Sequence, residues 1–426
     1  MLLLDAAAIL LVLAALFGLL NHHVLKLPFA IGLLIGGLLA SFCLLGIDAA
    51  IPSWQVGAHV RSLVIELNFA DTVLSGMLSL LLFAGALHTD LTRLRERLPT
   101  ILTLASVGVV ISTAIAGFAA YLLFRLIGVE IELIWCLVFG ALISPTDPIA
   151  VLGIMKAAKA PKQLEVKVIG ESLFNDGTGV VVFTVLVGVG VAMMTGGEAA
   201  ADEAMSVGRV TTLLAKEVIG GLGLGLVAGY ICYRAVKTLD EPNLEILLSV
   251  TTVFVIGFAA SRLHVSAPLA AVTAGLLLGN SGRLSAMSER TEQALDIVWT
   301  FVDELLNAVL FLLIGIEVLA IDSRSAYLWA AAALIPGVLA ARFLGVLLPV
   351  SVLRLRREID RGTVRVLTWG GLKGGISVAL AMKLPEFEGR NAVLTVTYVI
   401  VVFSIIVQGL TVGPLIRRTY PQPPAG

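Results

Sequence analysis

The chain has 426 residues, of which 58% are hydrophobic and only 14% carry a charged side chain. Soluble globular proteins hold about 45–50% apolar and about 25% charged residues, so the composition excludes a water-soluble protein of this length. The formal net charge of −1 excludes the broad basic field that nucleic-acid binding requires. The composition therefore predicts a chain that lies mainly in a lipid bilayer.

Apolar segments long enough to cross a bilayer recur along the whole chain. A membrane-spanning helix needs about 20 mostly apolar residues. Candidate spans lie near residues 6–21, 28–46, 66–88, 99–124, 131–155, 166–195, 212–233, 244–261, 265–280, 294–320, 326–352, 364–384 and 391–416. The sequence therefore predicts an all-α integral membrane protein with about 13 transmembrane helices. Because no P-loop motif for nucleotide binding occurs, we expect neither an ATP-driven pump nor an enzyme.

The basic residues indicate how the predicted helices are oriented. Lys and Arg concentrate in cytoplasmic loops. If the N-terminus lies outside, the loops assigned to the cytoplasm carry more than twice as many basic residues as the opposite loops. We therefore expect an outside N-terminus and a cytoplasmic C-terminus, with the acidic loop 197–206 outside.

The fifth predicted span contains two prolines that flank a Thr-Asp pair, in the run Ser144-Pro145-Thr146-Asp147-Pro148. Each proline lacks a backbone donor and crowds the preceding turn, so we expect the helix to break near Thr146. Carbonyl groups and half-helix ends in a broken span are good cation ligands. A second interpretation, compatible with the first, is that Asp147 caps the second half-helix.

The sixth predicted span carries polar side chains inside an apolar run, Glu171-Ser172-Leu-Phe-Asn175-Asp176. Ser172 and Asp176 are four residues apart and stack on one helix face, which Asn175 joins. Charged groups in the hydrocarbon cost at least ~2.5–3.5 kcal/mol and mark ion pathways or buried pairs. A carboxylate, a hydroxyl and an amide together suit a hard cation such as Na⁺. A polar helix–helix contact is the alternative interpretation.

Arg342 lies in the middle of the eleventh predicted span and needs a buried carboxylate partner. Our first choice is Glu171, which we expect to face away from the proposed ion site. Glu317 and the Asp303-Glu304 pair are the alternatives. A buried pair of this kind fixes geometry, because removing one partner leaves an uncompensated charge.

The twelfth predicted span contains the run Gly-Gly-Leu-Lys373-Gly-Gly at residues 370–375. Four glycines in six residues disfavour a helix interior and predict a second broken helix. At the break, Lys373 can neutralise the dipole of a half-helix C-terminus. Breaks at corresponding places in the two halves indicate inverted repeats with a substrate site at the membrane midplane.

These motifs occur in order along the chain, and together they resemble those of a known family. The runs are Ser-Pro-Thr146-Asp147-Pro, Gly-Glu171-Ser172-Leu-Phe-Asn175-Asp176, Ala-Arg342-Phe-Leu-Gly-Val and Gly-Gly-Leu-Lys373-Gly-Gly. The chain resembles the sodium/proton exchangers of the monovalent cation:proton antiporter family 1, bacterial-type Na⁺/H⁺ antiporters, over essentially its whole length. The resemblance implies thirteen spans, two unwound crossing helices, a homodimer and elevator-like alternating access.

The resemblance also implies a division of the chain. One transporter domain covers residues 1–418, and a short cytoplasmic tail covers residues 419–426. The core ion-translocation helices lie at about 99–195 and 326–416, and the remaining helices form the dimerisation part.

The resemblance assigns a role to each polar residue of the fifth and sixth spans. Asp176 resembles the carboxylate that takes either a cation or a proton. Ser172 and Thr146 resemble side-chain cation ligands, and Asp147 resembles an acidic neighbour. The pair Asn175-Asp176 resembles the Asn-Asp signature of electroneutral exchangers, whereas electrogenic relatives carry Asp-Asp.

Outside those spans the resemblance is less uniform. Glu171 and Arg342 resemble the family's buried structural pair. Lys373 stands where relatives often have Arg, whose guanidinium fork a point charge cannot copy. Ala84 stands where many relatives place a polar ligand, and we expect water or a backbone carbonyl to replace it.

The expected function is exchange of Na⁺, and of Li⁺, for protons across a bacterial inner membrane. We expect an electroneutral one-for-one exchange by alternating access, with Asp176 shared by cation and proton. The transported ions are the only small partners expected, with no further cofactor. Exchange of K⁺ for protons is the alternative within transporters. A cation channel, and an intramembrane aspartyl protease using Asp147 and Asp176, are the alternatives from other classes.

Overall fold

The computed structural model describes residues 3–51, 76–204, 207–283, 286–320, 324–354 and 361–421, and every regular element within them is helical. We number the α-helices of these ranges in chain order. They are α1 (Leu3–Leu20), α2 (Phe29–Ala50), α3 (Leu78–Leu87), α4 (Leu91–Thr103), α5 (Val109–Leu126), α6 (Leu133–Ile143), α7 (Ile149–Ala157), α8 (Lys162–Ala204), α9 (Val207–Val236), α10 (Pro242–Leu263), α11 (Ala267–Leu277), α12 (Glu289–Glu317), α13 (Ser325–Arg354), α14 (Arg361–Trp369), α15 (Gly375–Met382), α16 (Arg390–Phe403) and α17 (Gly409–Thr419). Two π-helical turns join α4 to α5 at Leu104–Gly108 and α16 to α17 at Ser404–Gln408.

Nine helical runs among the described residues are long and apolar enough to cross a bilayer. Two shorter apolar helices, α3 and α6, belong to the predicted third and fifth spans. The all-α membrane fold is therefore confirmed, while the count of thirteen crossings stays a prediction. Residues 66–75 of the predicted third span and residues 422–426 of the predicted tail lie outside the described residues.

Helix α8 is longer than the span that the sequence predicted. It runs over 43 residues from Lys162 to Ala204, whereas we expected a span near 166–195 followed by an acidic loop at 197–206. The segment after residue 196 is rich in Ala and Glu, which are strong helix formers. The prediction of a loop was therefore wrong up to Ala204, and residues 205–206 lie outside the described ranges.

Both predicted helix breaks are confirmed. Helix α6 ends at Ile143 and α7 begins at Ile149, so residues 144–148 are not helical. Helix α14 ends at Trp369 and α15 begins at Gly375. The N-cap position of α7 is Pro148, whose own side chain makes no capping hydrogen bond, so the interpretation of Asp147 as a helix cap stays a prediction.

Small residues let the helices around the first break approach closely. Helix α5 packs against both α6 and α13, and α8 packs against α6. A Cβ atom on Gly140 of α6 would collide with the backbone oxygen of Thr113 on α5. Close backbone approach at small residues is the usual way in which membrane helices associate. This packing brings Arg342 of α13 next to Glu171 of α8.

Candidate ion-binding site

The two helix breaks meet inside the protein. The backbone N–H of Asp147, in the first break, donates a 2.8 Å hydrogen bond to the carbonyl oxygen of Leu372 in the second. A Cβ atom on Gly374 would lie 2.5 Å from Oδ2 of Asp147, so this approach requires glycine. The unwound segments 144–148 and 370–374 therefore form one contact region.

Lys373 joins the second break to the end of helix α6. Its Nζ donates hydrogen bonds to the carbonyl oxygens of Ser144, at 3.1 Å, and Pro145, at 3.4 Å. The residue is only 4% exposed. The last carbonyl groups of a helix lack intrahelical partners and carry its negative dipole end. The Lys373 ammonium thus lies just beyond the C-terminal end of α6, where it binds two carbonyl groups of the break and opposes the negative end of the helix dipole.

Asn175 binds the first break to helix α8. Its Nδ2 donates to Oγ1 of Thr146 at 2.8 Å, and its Oδ1 accepts from the backbone N–H of Thr146 at 3.3 Å. The hydroxyl oxygens of Thr146 and Ser172 lie 3.1 Å apart. All three residues are buried. Two hydroxyls and an amide therefore converge at the break, held by a closed set of hydrogen bonds.

Asp176 lies on α8 one helical turn after Ser172, and it is 3% exposed. Its carboxylate accepts no hydrogen bond from the described residues. It is close enough to Asp147, Glu171 and Lys373 to interact with their charges. Asp147 is buried as well. The region thus contains a buried carboxylate whose oxygens accept from no donor in the described part of the chain.

Arg342 of α13 pairs with Glu171 of α8. The guanidinium donates from Nη1 to Oε1 of Glu171 at 2.7 Å and from Nη2 to Oε2 at 2.8 Å. It also donates from Nε and Nη2 to the carbonyl oxygen of Leu367, at 3.3 and 3.1 Å. A planar guanidinium suits this two-bond contact with a carboxylate. Glu317 and the Asp303-Glu304 pair do not take this place.

The structure corrects the expected direction of Glu171. We expected this side chain to face away from the ion site, but Nδ2 of Asn175 donates to its Oε1 at 2.8 Å. Glu171 and Asn175 are four residues apart and share a helix face. The same amide therefore contacts both the Arg342–Glu171 pair and Thr146. Asn175 therefore positions Thr146, and its role as a cation ligand stays a prediction.

The third span supplies no ligand through Ala84. Ala84 is fully buried in an apolar cluster with Phe83 and Trp299. Its carbonyl oxygen accepts from the His88 ring at 2.8 Å and from the His88 backbone N–H at 3.3 Å. The carbonyl of Ala84 itself is therefore engaged already, and replacement of the missing polar ligand by water or by another backbone carbonyl stays a prediction.

Several residues near the site were missed by the sequence analysis. Asp303 of α12 is close enough to Asp147 for the two carboxylates to repel each other. One turn later, Nδ2 of Asn307 donates to the carbonyl oxygen of Asp303 at 2.7 Å. Ser404 and Gln408 contact the second break. Asp303 had been considered only as a partner for Arg342, and no local motif distinguishes the other three.

A small cavity of about 10 Å³ lies behind Lys373. Arg342, Thr368 and Gln408 are among its lining residues. The hydroxyl oxygen of Thr368 is buried and has no hydrogen-bond partner among the described residues. The volume corresponds to about one water molecule, which needs two to four polar partners. The polar lining therefore fits a single bound water.

Comparison with known proteins places the chain in a family. Residues 11–418 match the family model described as sodium/hydrogen exchanger, transmembrane. The chain is 42% identical over 422 residues to the Na⁺/H⁺ antiporter NhaP of Pseudomonas aeruginosa, covering 98% of this chain and 97% of that protein. It is 35% identical over 351 residues to the Na⁺/H⁺ antiporter NhaH of Halobacillus dabanensis, covering 82% and 83% of the two chains.

The fold also matches a solved structure. The sodium proton antiporter MjNhaP1 from Methanocaldococcus jannaschii superimposes with a TM-score of 0.76 at 18% sequence identity, over 99% of this chain and all of that one. These matches confirm the resemblance seen in the motifs, and they favour a transporter over a channel or a protease. The chain belongs to the family of transmembrane sodium/hydrogen exchangers.

Proposed function

We propose that this protein exchanges Na⁺ for protons across the membrane, one for one, and that Asp176 binds either ion. The observation that carries the proposal is the buried Asp176 carboxylate, which accepts no hydrogen bond from the described residues. A charged group at this depth is costly unless a partner compensates it. A bound cation or a proton supplies that compensation, and the two exclude each other.

The neighbouring oxygens suit a hard monovalent cation. The hydroxyls of Thr146 and Ser172 and the carboxylate of Asp147 are oxygen ligands, which Na⁺ and Li⁺ prefer to nitrogen or sulfur. Asn175 holds Thr146 through two hydrogen bonds and so positions a ligand. Water completes the coordination where Ala84 offers no side-chain oxygen.

Exchange follows from competition at one carboxylate. The ionised Asp176 binds Na⁺ on one side of the membrane, the core helices move, and a proton from the other side displaces the cation. The protonated carboxyl group then returns. Each cycle moves one cation and one proton in opposite directions, so no net charge crosses the membrane if Asp147 keeps one charge state.

The central test is the variant Asp176→Asn in reconstituted vesicles that contain a pH-sensitive dye. We expect no dequenching on addition of Na⁺, because the amide can neither release a proton nor offer a carboxylate. The matched control is Glu317→Gln. Glu317 is 2% exposed on α12 and has an unpartnered Oε2, and among the described residues it makes no hydrogen bond to the candidate site. The control is expected to keep exchange, whereas Na⁺-driven proton flux in Asp176→Asn would refute the proposal.

Electroneutral exchange has its own test. An imposed membrane potential should leave the initial rate unchanged, because the proposed cycle moves no net charge. A rate that varies steeply with the potential would contradict the one-for-one stoichiometry while leaving Asp176 as the shared site.

The choice of cation is tested in the same vesicles by adding Na⁺, Li⁺ and K⁺ in turn. We expect signals for Na⁺ and Li⁺. A larger signal for K⁺ would make the protein a potassium/proton exchanger that uses the same carboxylate.

We further propose a homodimer in the bacterial inner membrane with its N-terminus outside. The bacterial relatives and the distribution of basic residues support this arrangement. The core helices would be those near 99–195 and 326–416, with the dimer contact on the remaining helices. Light scattering in detergent tests the dimer, and a reporter fused after the last residue tests the cytoplasmic C-terminus.

A further inference from the structure

The π-helical turn between α16 and α17 places two polar side chains on one buried face. In this turn the hydroxyl of Ser404 donates to Oε1 of Gln408 at 2.6 Å. Ser404 is fully buried and Gln408 is 3% exposed. Single π-helical turns are rare and occur frequently at functional sites. The pair therefore needs an explanation beyond helix packing.

The pair faces the second helix break. The backbone N–H of Lys373 donates to Oγ of Ser404 at 2.9 Å. On the other side, Nε2 of Gln408 donates to the carbonyl oxygen of Trp369 at 3.0 Å. Trp369 is the last residue of α14, and Lys373 directly precedes the N-cap residue of α15. The two side chains thus contact both ends of the unwound segment.

These contacts take the place of one backbone hydrogen bond that a continuous helix would have across the break. In an α-helix the N–H of residue 373 would donate to the carbonyl oxygen of residue 369. Here the proton donor of Lys373 and the acceptor of Trp369 are instead linked through the Ser404 hydroxyl and the Gln408 amide. We call this chain of three hydrogen bonds the relay. Its direction is fixed at both ends, because the backbone N–H of Lys373 can only donate and the carbonyl oxygen of Trp369 can only accept. Gln408 accordingly offers its oxygen to Ser404 and its NH₂ to Trp369.

We propose that Ser404 and Gln408 are positioning residues for ion exchange. Their relay holds the break open at a fixed width and fixes the backbone of Lys373. From that backbone, the Lys373 side chain reaches the carbonyl oxygens at the end of α6, and Leu372 accepts from Asp147. The relay thereby sets the position of a positive charge near the candidate cation site.

The inference rests on the proposed function, and it predicts a change in apparent cation affinity. Without the relay, Lys373 has no fixed position relative to Asp176 and Asp147. Loss of one buried hydrogen bond corresponds to about a fivefold to tenfold change in an equilibrium constant. We therefore expect the KM for Na⁺ to rise by about that factor in Ser404→Ala and in Gln408→Leu, with a smaller effect on the maximal rate.

A double-mutant cycle tests whether the two residues act as one relay. If they do, Ser404→Ala combined with Gln408→Leu should raise the KM no further than the stronger single variant, because the relay is already cut. Ser404→Thr keeps the hydroxyl and should restore a KM close to that of the unmodified protein. Effects of the two single variants that multiply in the double variant would overturn the relay.

The matched control is Ser112→Ala. Ser112 is also buried, and its hydroxyl donates to the carbonyl oxygen of Ala341 at 3.3 Å, between α5 and α13; among the described residues it makes no hydrogen bond to either break. A merely structural role for Ser404 would predict similar KM values in both variants, and that result would refute the proposal. If Ser404→Ala does not fold, Ser404→Cys carries the same expectation with a smaller rise, because S–H is a weaker donor.

The result of the relay experiment is independent of the result of the Asp176→Asn experiment. The relay variants are read from the Na⁺ dependence of active protein, whereas the shared carboxylate is refuted if Asp176→Asn still exchanges ions. A normal KM in every relay variant would therefore refute the relay and leave the shared carboxylate intact.

Discussion

Replacing Glu171 by Gln removes the charge that faces the Arg342 guanidinium. In the structure two hydrogen bonds of 2.7 and 2.8 Å join these side chains, which are 1% and 7% exposed. The NH₂ group of Gln would face a guanidinium that can only donate. Leaving one member of a buried ion pair without its partner costs about 3–5 kcal/mol. Glu171→Gln should therefore lower the stability of the protein strongly.

The size of the effect on thermal unfolding follows from the length of the chain. An unfolding entropy of about 2.1 cal/mol/K per residue gives roughly 0.9 kcal/mol/K for 426 residues. The stability loss then lowers the Tm by about 3–6 °C. Scanning fluorimetry of the protein in nanodiscs measures this shift. All variants must be compared at one scan rate, because unfolding of large proteins is often irreversible.

A double variant distinguishes the cost of an unpaired buried charge from the cost of losing the Arg342–Glu171 hydrogen bonds. Glu171→Leu combined with Arg342→Met leaves no unpaired charge, so it should be more stable than Glu171→Gln. Glu304→Gln, at an exposed carboxylate of α12, is the control and should not change the Tm. The reasoning would be refuted if Glu171→Gln unfolded at the Tm of the unmodified protein, or if the double variant were the least stable of the set.

Two further predictions concern transport. Gly374→Ala would place a Cβ atom 2.5 Å from Oδ2 of Asp147 and should abolish exchange. The control is Gly153→Ala, whose added Cβ meets nothing within 4 Å and which should keep exchange. Equal activity of the two variants in vesicles would contradict the close approach of the breaks. Competition of Na⁺ and one proton for Asp176, as proposed above, predicts that the KM for Na⁺ rises about tenfold per unit fall in pH in the acidic range while the maximal rate is constant. Initial rates over a series of pH values and Na⁺ concentrations measure this, and a slope of two decades per pH unit would indicate a second proton.

Both helix breaks could be predicted because their causes are local. Pro145 and Pro148 remove backbone donors wherever the rest of the chain lies, and four glycines at 370–375 disfavour a helix in any context. The structure places both breaks at these residues. The contact between the breaks could not be predicted in the same way, because it joins Asp147 to Leu372 across more than 200 residues of sequence.

The relay through Ser404 and Gln408 was not predictable from the sequence. Serine and glutamine are common in helices, and a π-helical turn has no sequence motif of its own. The link between Glu171 and Asn175 was different, because a separation of four residues on one helix is a sufficient signal. That signal was missed because Asn175 was assigned to the face of Ser172, three residues away, and a residue between two faces can contact both.

The position of Asn175 changes the meaning of the Asn-Asp pair in this chain. An additional carboxylate at 175 would stand where Nδ2 now lies, 2.8 Å from Oε1 of Glu171, and carboxylates at this distance share one proton because they cannot both ionise. Asn175→Asp should therefore weaken the Arg342–Glu171 pair and lower the Tm, without adding a charge that is carried across the membrane. Its exchange should stay independent of the membrane potential. A rate that becomes dependent on the potential in Asn175→Asp would mean that this side chain turns towards the cation during transport, and that Asn175 contributes directly to electroneutral exchange.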